Sequence, residues 1–218
     1  MNEDYQKKIF SAHIKKNLPY QGDVTSQILL NIVKKYVGGE ILDIGAGSGA
    51  LVELLRSHNH TVIGIDTCAN LPLVSYGSIT DLQFDNDFFD TVFCIEVLEH
   101  LTDQQIDIGL SEIKRSLKKD RYFILTVPYN EDLSKNIFTC PKCGEEFHKF
   151  GHLQSFNKEK IINLLSRHGF TVKAIKVYAL GAMAILPFGR YLNFLFKRLK
   201  YDFLARSFVV MAQKIKEV

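Results

Sequence analysis

Glu40-Ile-Leu-Asp-Ile44 is a short, largely apolar run that ends in Gly45-Ala-Gly47-Ser-Gly49 and passes directly into a helical pattern from Leu51 to Arg56. A strand that apolar does not face water on either side, and a glycine turn leading into a helix carries the chain back over the sheet. The same alternation then recurs. Thr61-Val-Ile-Gly-Ile65, Leu73-Val-Ser-Tyr76, Thr91-Val-Phe-Cys-Ile95 and Tyr122-Phe-Ile-Leu-Thr-Val127 read as further strands, with a helix over 104–117. A helix over 24–37 precedes the first strand and is stopped by Gly38-Gly39. A helix over 158–168 and strands over 170–177 and 207–212 complete the chain. The expectation is an α/β chain with a mostly parallel, seven-stranded sheet and helices on both faces. Ligands of such sheets sit at the carboxyl ends of the strands. Functional residues are therefore expected just after Ile44, Ile65, Tyr76, Ile95 and Val127.

Composition narrows the partners. The chain has 218 residues, 27 Lys+Arg against 24 Asp+Glu and a net charge of +3. That length supports one core, so 1–218 reads as a single domain. The small charge forms no basic stripe, which argues against nucleic acid. The start, Met1-Asn-Glu-Asp-Tyr-Gln-Lys-Lys8, lacks the apolar stretch of a secretory leader. No apolar run reaches the ~18 residues of a membrane span. Four cysteines in such a chain read as reduced thiols or metal ligands, and the expected location is the cytoplasm.

The glycine loop carries the first chemical signal. Glycines let a ligand approach the backbone, and Asp66, 17 residues after Gly49, ends the next strand with a carboxylate suited to ribose hydroxyls. Gly45-x-Gly47-x-x-Ala50 also satisfies the dinucleotide fingerprint, so an NAD(P)-dependent oxidoreductase stays open on the glycines alone. Asp43 separates the two, because a carboxylate two residues before the first glycine suits a cationic ligand better than a pyrophosphate.

Taken in order, Leu42-Asp-Ile-Gly-Ala-Gly-Ser-Gly49, Val62-Ile-Gly-Ile-Asp66, Leu82-Gln-Phe84 before Phe89-Asp90, Ile95-Glu-Val-Leu-Glu-His100, Gly151-His152 leading to Phe156, and Gly169-Phe170 resemble the class I S-adenosylmethionine-dependent methyltransferases, in particular the type 11-like methyltransferase domain. The resemblance runs from Glu40 to about Phe170 and implies a Rossmann-like, doubly wound sheet. It also implies that Gly45, Gly47 and Gly49 flank S-adenosylmethionine, that Asp66 holds its ribose and that Asp43 reaches its methionine end. Ser78 and Ile79 would border the adenine, and Ile95 and Glu96 the methionine side. Two departures are visible. Ser78 stands where the family carries an acid, and only ten residues separate Asp66 from Gly77, too few for the usual helix.

A second signal follows the fifth strand. Cys140-Pro-Lys-Cys143, His148 and His152 have the residue types of a tetrahedral structural zinc site within an insertion over 129–157. The alternative is a pair of reduced surface thiols, with His152 as general base for a hydroxyl acceptor. One imidazole nitrogen does not serve both roles. Cys68 and Cys94 read as small core residues, and His100 as a capping or packing residue.

A third feature spans 178–205. Tyr191, Phe194, Phe196 and Phe203 stand beside Arg190, Lys197, Arg198 and Lys200. The segment reads as a lid against the N-terminal helix or as a peripheral membrane contact through 181–203. The combined expectation is methyl transfer from S-adenosylmethionine to a small-molecule or glycan/lipid-precursor acceptor by in-line displacement. A non-catalytic, zinc-containing binding module on the same fold is the remaining rival.

Overall fold

Ile41 and Leu42, neighbours on the first strand, are both fully buried, and that requires cover on both sides of the sheet. The computed structural model of the chain describes residues 8, 21–68, 71–185 and 206–215. Among these, β1 (Glu40–Ile44), β2 (Thr61–Asp66), β3 (Val74–Tyr76), β4 (Phe89–Ile95), β5 (Leu117–Pro128), β8 (Phe170–Tyr178) and β9 (Ser207–Lys214) form one seven-stranded sheet. The spatial order is β3-β2-β1-β4-β5-β9-β8. β1 pairs in parallel with β2 and β4, and β9 runs antiparallel to both β5 and β8. All seven expected strands are present. The fifth begins earlier than its apolar run, at Leu117, and its pairing with β4 is irregular between Phe89 and Thr91.

Period-2 alternation divides the core in two. Ile41, Phe93, Ile124, Val209 and Met211 face α1 (Gln21–Val33), α2 (Ala50–Ser57) and α5 (Leu180–Ile185), against Leu29, Val33, Val52, Leu55 and Leu180. Leu42, Val92, Cys94, Phe123, Leu125 and Val210 face α3 (Asp103–Ser116) and α4 (Lys158–Arg167), against Ile106, Leu110, Ile113, Ile161 and Leu165. Helix boundaries follow local chemistry. Thr102 and Gln105 close a reciprocal capping box at the start of α3, and the Asn157 side chain accepts the Lys160 N–H (2.7 Å) at the start of α4. Gly169, at φ +79°, follows α4 in the left-handed conformation that ends helices.

Between β5 and α4 the chain makes a short 3-10 turn (Leu133–Asn136) and a two-stranded ribbon of β6 (Ile137–Thr139) with β7 (Glu146–His148). α5, the opening of the aromatic and basic segment, packs on α1. Tyr191, Phe194, Phe196, Phe203 and the cations Arg190, Lys197, Arg198 and Lys200 lie outside the described residues. Among the described residues no helix is long and apolar enough to cross a membrane.

The amino ends of the central strands are tied by one carboxylate. Asp90 accepts the Glu40 N–H (3.1 Å) and pairs with Lys118 (2.6 Å) and Arg121 (3.0 Å). Burial pushes its carboxyl up, but the Lys118 hydrogen bond, the Glu40 N–H and the two cations hold it below its ordinary value. Its contribution is thus complete above the ordinary aspartate range and lost as pH falls through the lowered native value. Asp90→Ala is expected to destabilise the chain by about 1.5–3 kcal/mol at neutral pH. Urea melts of parent and variant should converge in strong acid.

Candidate active site

The glycine loop is folded back over β2. The N–H groups of Gly45 and Ala46 both donate to the Ile65 carbonyl (2.9 and 3.0 Å), and the Asp66 carboxylate accepts the N–H groups of Gly47 (3.0 Å) and Cys68 (2.7 Å). Asp66 therefore fixes the loop as well as ending β2. Gly45 has φ +72°, and a Cβ there would stand 2.4 Å from Val97 Cγ2, so the segment after β4 closes on the loop only because the position is glycine. Gly47 and Gly49 are left-handed too.

Asp43 lies beneath this loop with 2% of its surface exposed. Burial, reinforced by the charge of Asp66, pushes its carboxyl up to about 8. A cation received here would restore the ionised form. On the other side of Asp66, Ser78 bonds Thr80 (2.8 Å), while the Ile79 side chain packs in the core against Gly109. Only the main chain of Ile79 is therefore turned away from the core. Tyr76, aligned with Asp66 in the pairing of β3 with β2, is 77% exposed, and the described residues between β2 and β3 contain no helix.

Polar groups also converge after β4. Ile95 is half-buried, and Glu96 sits at φ +54°, its N–H donating to the carbonyl (3.1 Å) and hydroxyl (3.2 Å) of Thr126. The Glu96 side chain is buried toward Thr126, Ser207 and Glu99. Three residues on, in the 3-10 turn Leu98–His100, Glu99 has no exposed surface. Its carbonyl accepts the N–H groups of Leu153 (2.7 Å) and Gln154 (3.0 Å), and this docks the insertion beside β4. His152 is thereby brought edge-on to His100, with ring centres 4.8 Å apart. His152 Nδ1 faces Glu131 Oε2 at 2.5 Å, and His148 Nε2 lies 3.6 Å from Glu131 Oε1. Burial raises the carboxyls of Glu96 and Glu99, the latter further through the Glu96 charge. Burial and the neighbouring His152 lower His100 to about 4 and His148 below its usual range.

These positions revise three expectations. Of the capping or packing roles expected for His100, only capping is excluded: Thr102 caps α3, and His100 packs edge-on against His152 beside the carboxylates. Cys94 is a core residue, but Cys68 is only half-buried in the turn after β2. The four proposed zinc ligands are not brought together. Cys140 and Cys143 stand in a tight turn, a knuckle closed by the Gly144 N–H on the Cys140 carbonyl (2.8 Å) and the Cys140 N–H on the Glu145 carbonyl (2.8 Å). The knuckle, however, is the tip of the ribbon, and the pair Ile137 and His148 is its base. At ~3.3 Å per residue, three residues of strand separate the two by about 10 Å. Among the described residues, the groups of three whose ligand atoms lie within 4.8 Å of one another are Glu99 with His100 and His152, and Glu131 with His148 and His152. Neither cysteine enters them. Glu99 and Glu131 were missed, although two carboxylates and a histidine within Glu96–His100 are a sequence signal for the first.

A family model described as a methyltransferase domain matches residues 14–175. An uncharacterized methyltransferase of Anoxybacillus flavithermus is 32% identical over 103 residues, 43% of this chain and 49% of that protein. A ubiquinone biosynthesis O-methyltransferase of Coxiella burnetii is 30% identical over 142 residues, 53% of this chain and 58% of that one. The chain thus spans about half the length of these curated relatives. In fold it is similar to the Burkholderia thailandensis 1,6-didemethyltoxoflavin-N1-methyltransferase solved with 1,6-didemethyltoxoflavin and S-adenosylhomocysteine, at 15% identity and a TM-score of 0.68 over 96% of this chain and 87% of that one.

The raised carboxyl of Asp43 has a stability consequence. The native chain keeps a proton that the unfolded chain releases above ~4, so stability falls as pH rises from there toward about 8 and then levels. Asp43→Asn removes that loss. Without ligand, its melting temperature should exceed the parent's by several degrees at pH 8 and match it near pH 4. An equal gain at both pH values would place the cause elsewhere.

Proposed function

From the premise that the chain belongs to the class I S-adenosylmethionine-dependent methyltransferases, we propose that its acceptor is a hydroxyl of a small molecule or of a glycan or lipid precursor. The observation that carries this reading is the set of imidazoles and carboxylates gathered after β4, with Glu99 and His148 buried and His100, His152 and Glu131 half-buried around them. A sulfonium methyl needs no further activation. What the protein supplies is alignment, exclusion of water and a path for the acceptor's proton. Amines that arrive unprotonated need no such path, whereas a hydroxyl must lose its proton as the O–C bond forms. The relative named as an O-methyltransferase is in keeping with an oxygen acceptor.

In this reading Asp66 holds the ribose of S-adenosylmethionine, and Gly45, Gly47 and Gly49 border it. Asp43, buried and raised, fits the cationic methionine end, and that fit of charge to site supports the assignment. Ser78 and the main chain of Ile79 border the adenine, and Ile95 with the main chain of Glu96 borders the methionine. The acceptor oxygen enters opposite the sulfur and attacks the methyl carbon in line. The S–CH3 electron pair stays on sulfur, and the hydroxyl proton leaves toward Glu96, Glu99, His100 and His152. The segment 181–203 is assigned to acceptor selection, as a cover over the pocket or as a contact with a lipid surface carrying the acceptor.

Calorimetry should show S-adenosylhomocysteine binding and no heat with NAD. Asp66→Ala should weaken that binding by about 1.5–3 kcal/mol, as for lost charge-assisted hydrogen bonds. Incubation with S-adenosylmethionine and matched hydroxyl, amine and thiol acceptors should give a methyl ether. Methylation confined to nitrogen or sulfur would overturn the oxygen assignment.

A further inference from the structure

We propose that Glu96, Glu99, His100 and His152 bind a divalent transition-metal ion on the acceptor side of the site, with Glu131 and His148 orienting His152. Binding itself follows from the geometry; the ion's catalytic role rests on the hydroxyl-acceptor reading above.

Glu99 carries the argument furthest. It has no exposed surface, and its carboxylate oxygens have no donor apart from the neighbouring Glu96 carboxyl. Glu96 Oε1 is likewise buried and without a partner. A native fold rarely leaves such acceptors unsatisfied, because each costs about 1–3 kcal/mol or more when charged. Ligand atoms of Glu99, His100 and His152 already lie within 4.8 Å of one another.

The imidazoles are prepared in the same sense. His100 Nδ1 faces the Gly151 carbonyl (3.3 Å), and His152 Nδ1 faces the Glu131 carboxylate. An acceptor at Nδ1 places the ring proton there and the lone pair on Nε2, the form in which imidazole ligates metals. A carboxylate behind a ligating histidine is the usual outer partner of such sites.

His148 is different. Its Nδ1 accepts the N–H groups of Phe150 (3.4 Å) and His152 (3.1 Å), so the ring proton is on Nε2, directed at Glu131. Having no lone pair to offer there, His148 lies beside Glu131 at 3.6 Å, beyond hydrogen-bond distance, and Glu131 holds His152. Two imidazoles with two carboxylates suit the Mn2+, Co2+ and Zn2+ group. An ion held there would lower the pKa of a coordinated acceptor hydroxyl, whose proton would leave to solvent; His152 would then be a ligand, and only without the ion would these four groups take the proton themselves.

Cobalt(II) chloride is a suitable probe, added to full-length protein stripped with a chelator and desalted. One Co2+ per chain is expected, with d–d absorption and no thiolate-to-metal charge-transfer band. Glu99→Gln and His152→Ala should each weaken binding by more than about 100-fold, and Glu131→Gln by about 10–100-fold as an outer partner. Cys140→Ser with Cys143→Ser should leave it unchanged. S-adenosylhomocysteine binding, measured on every variant, shows whether the fold is intact. Should a buried variant not fold, the parent's spectrum and the cysteine variant still decide. No Co2+ uptake by parent that binds S-adenosylhomocysteine would overturn the metal site and leave the methyltransferase reading standing. A thiolate band, or loss of Co2+ in the cysteine variant alone, would overturn it in favour of the knuckle. Co2+ uptake as described, without S-adenosylhomocysteine binding, would support the site and count against the cofactor assignment.

Discussion

A parallel sheet covered on both faces leaves its strand interiors no water, so polar chemistry is confined to its edges. That constraint organises the molecule. β1 and β4 are closed to solvent through most of their length, and their polar exceptions fall near the ends: Asp43 beneath the glycine loop, Asp90 at the opposite rim. The first lies under the site assigned to the cofactor. The second neutralises two cations and the start of β1. One rim of the sheet is thus given to binding and the other to holding strands together.

The same constraint explains what could be read in advance. Strands such as Thr91–Ile95 and helices such as Lys158–Arg167 are written in short periods, and their order specifies a doubly wound sheet. Asp43, the glycines and Asp66 were legible because a strand end fixes where they point. Glu131 was not, because its partner His152 stands 21 residues later and reaches it only through the docking of the insertion on the Glu99 carbonyl. The Cys/His spacing misled for a related reason. Linear distance suggests four ligands around one ion, but a ribbon places its turn and its base at opposite ends, and the pairing of Ile137 with His148 is not marked by any periodicity.

Burying Glu99 and His148, and half-burying Glu96 and His100, is unfavourable on its own, and Glu96 adds a left-handed backbone at φ +54°. Such costs persist only where the surroundings over-determine the geometry. Here those surroundings are Thr126 on β5, Ser207 on β9 and the two N–H groups on the Glu99 carbonyl. The strongly apolar sheet on either side supplies the stability against which this group is held.

The attachment of the insertion has one more implication. Its contacts with the turn after β4 include backbone to backbone bonds, Leu153 and Gln154 to Glu99, and the Gly151 carbonyl meets His100. Main-chain docking is indifferent to most side-chain identities. The glycine loop, Asp66 and Glu96 lie on one continuous stretch from Glu40 to Val97, whereas Glu131, His148 and His152 arrive on the segment that carries the ribbon and flanks it. Side chains on the insertion can therefore be exchanged without altering how its main chain docks, so the groups it presents and the groups it faces are set independently.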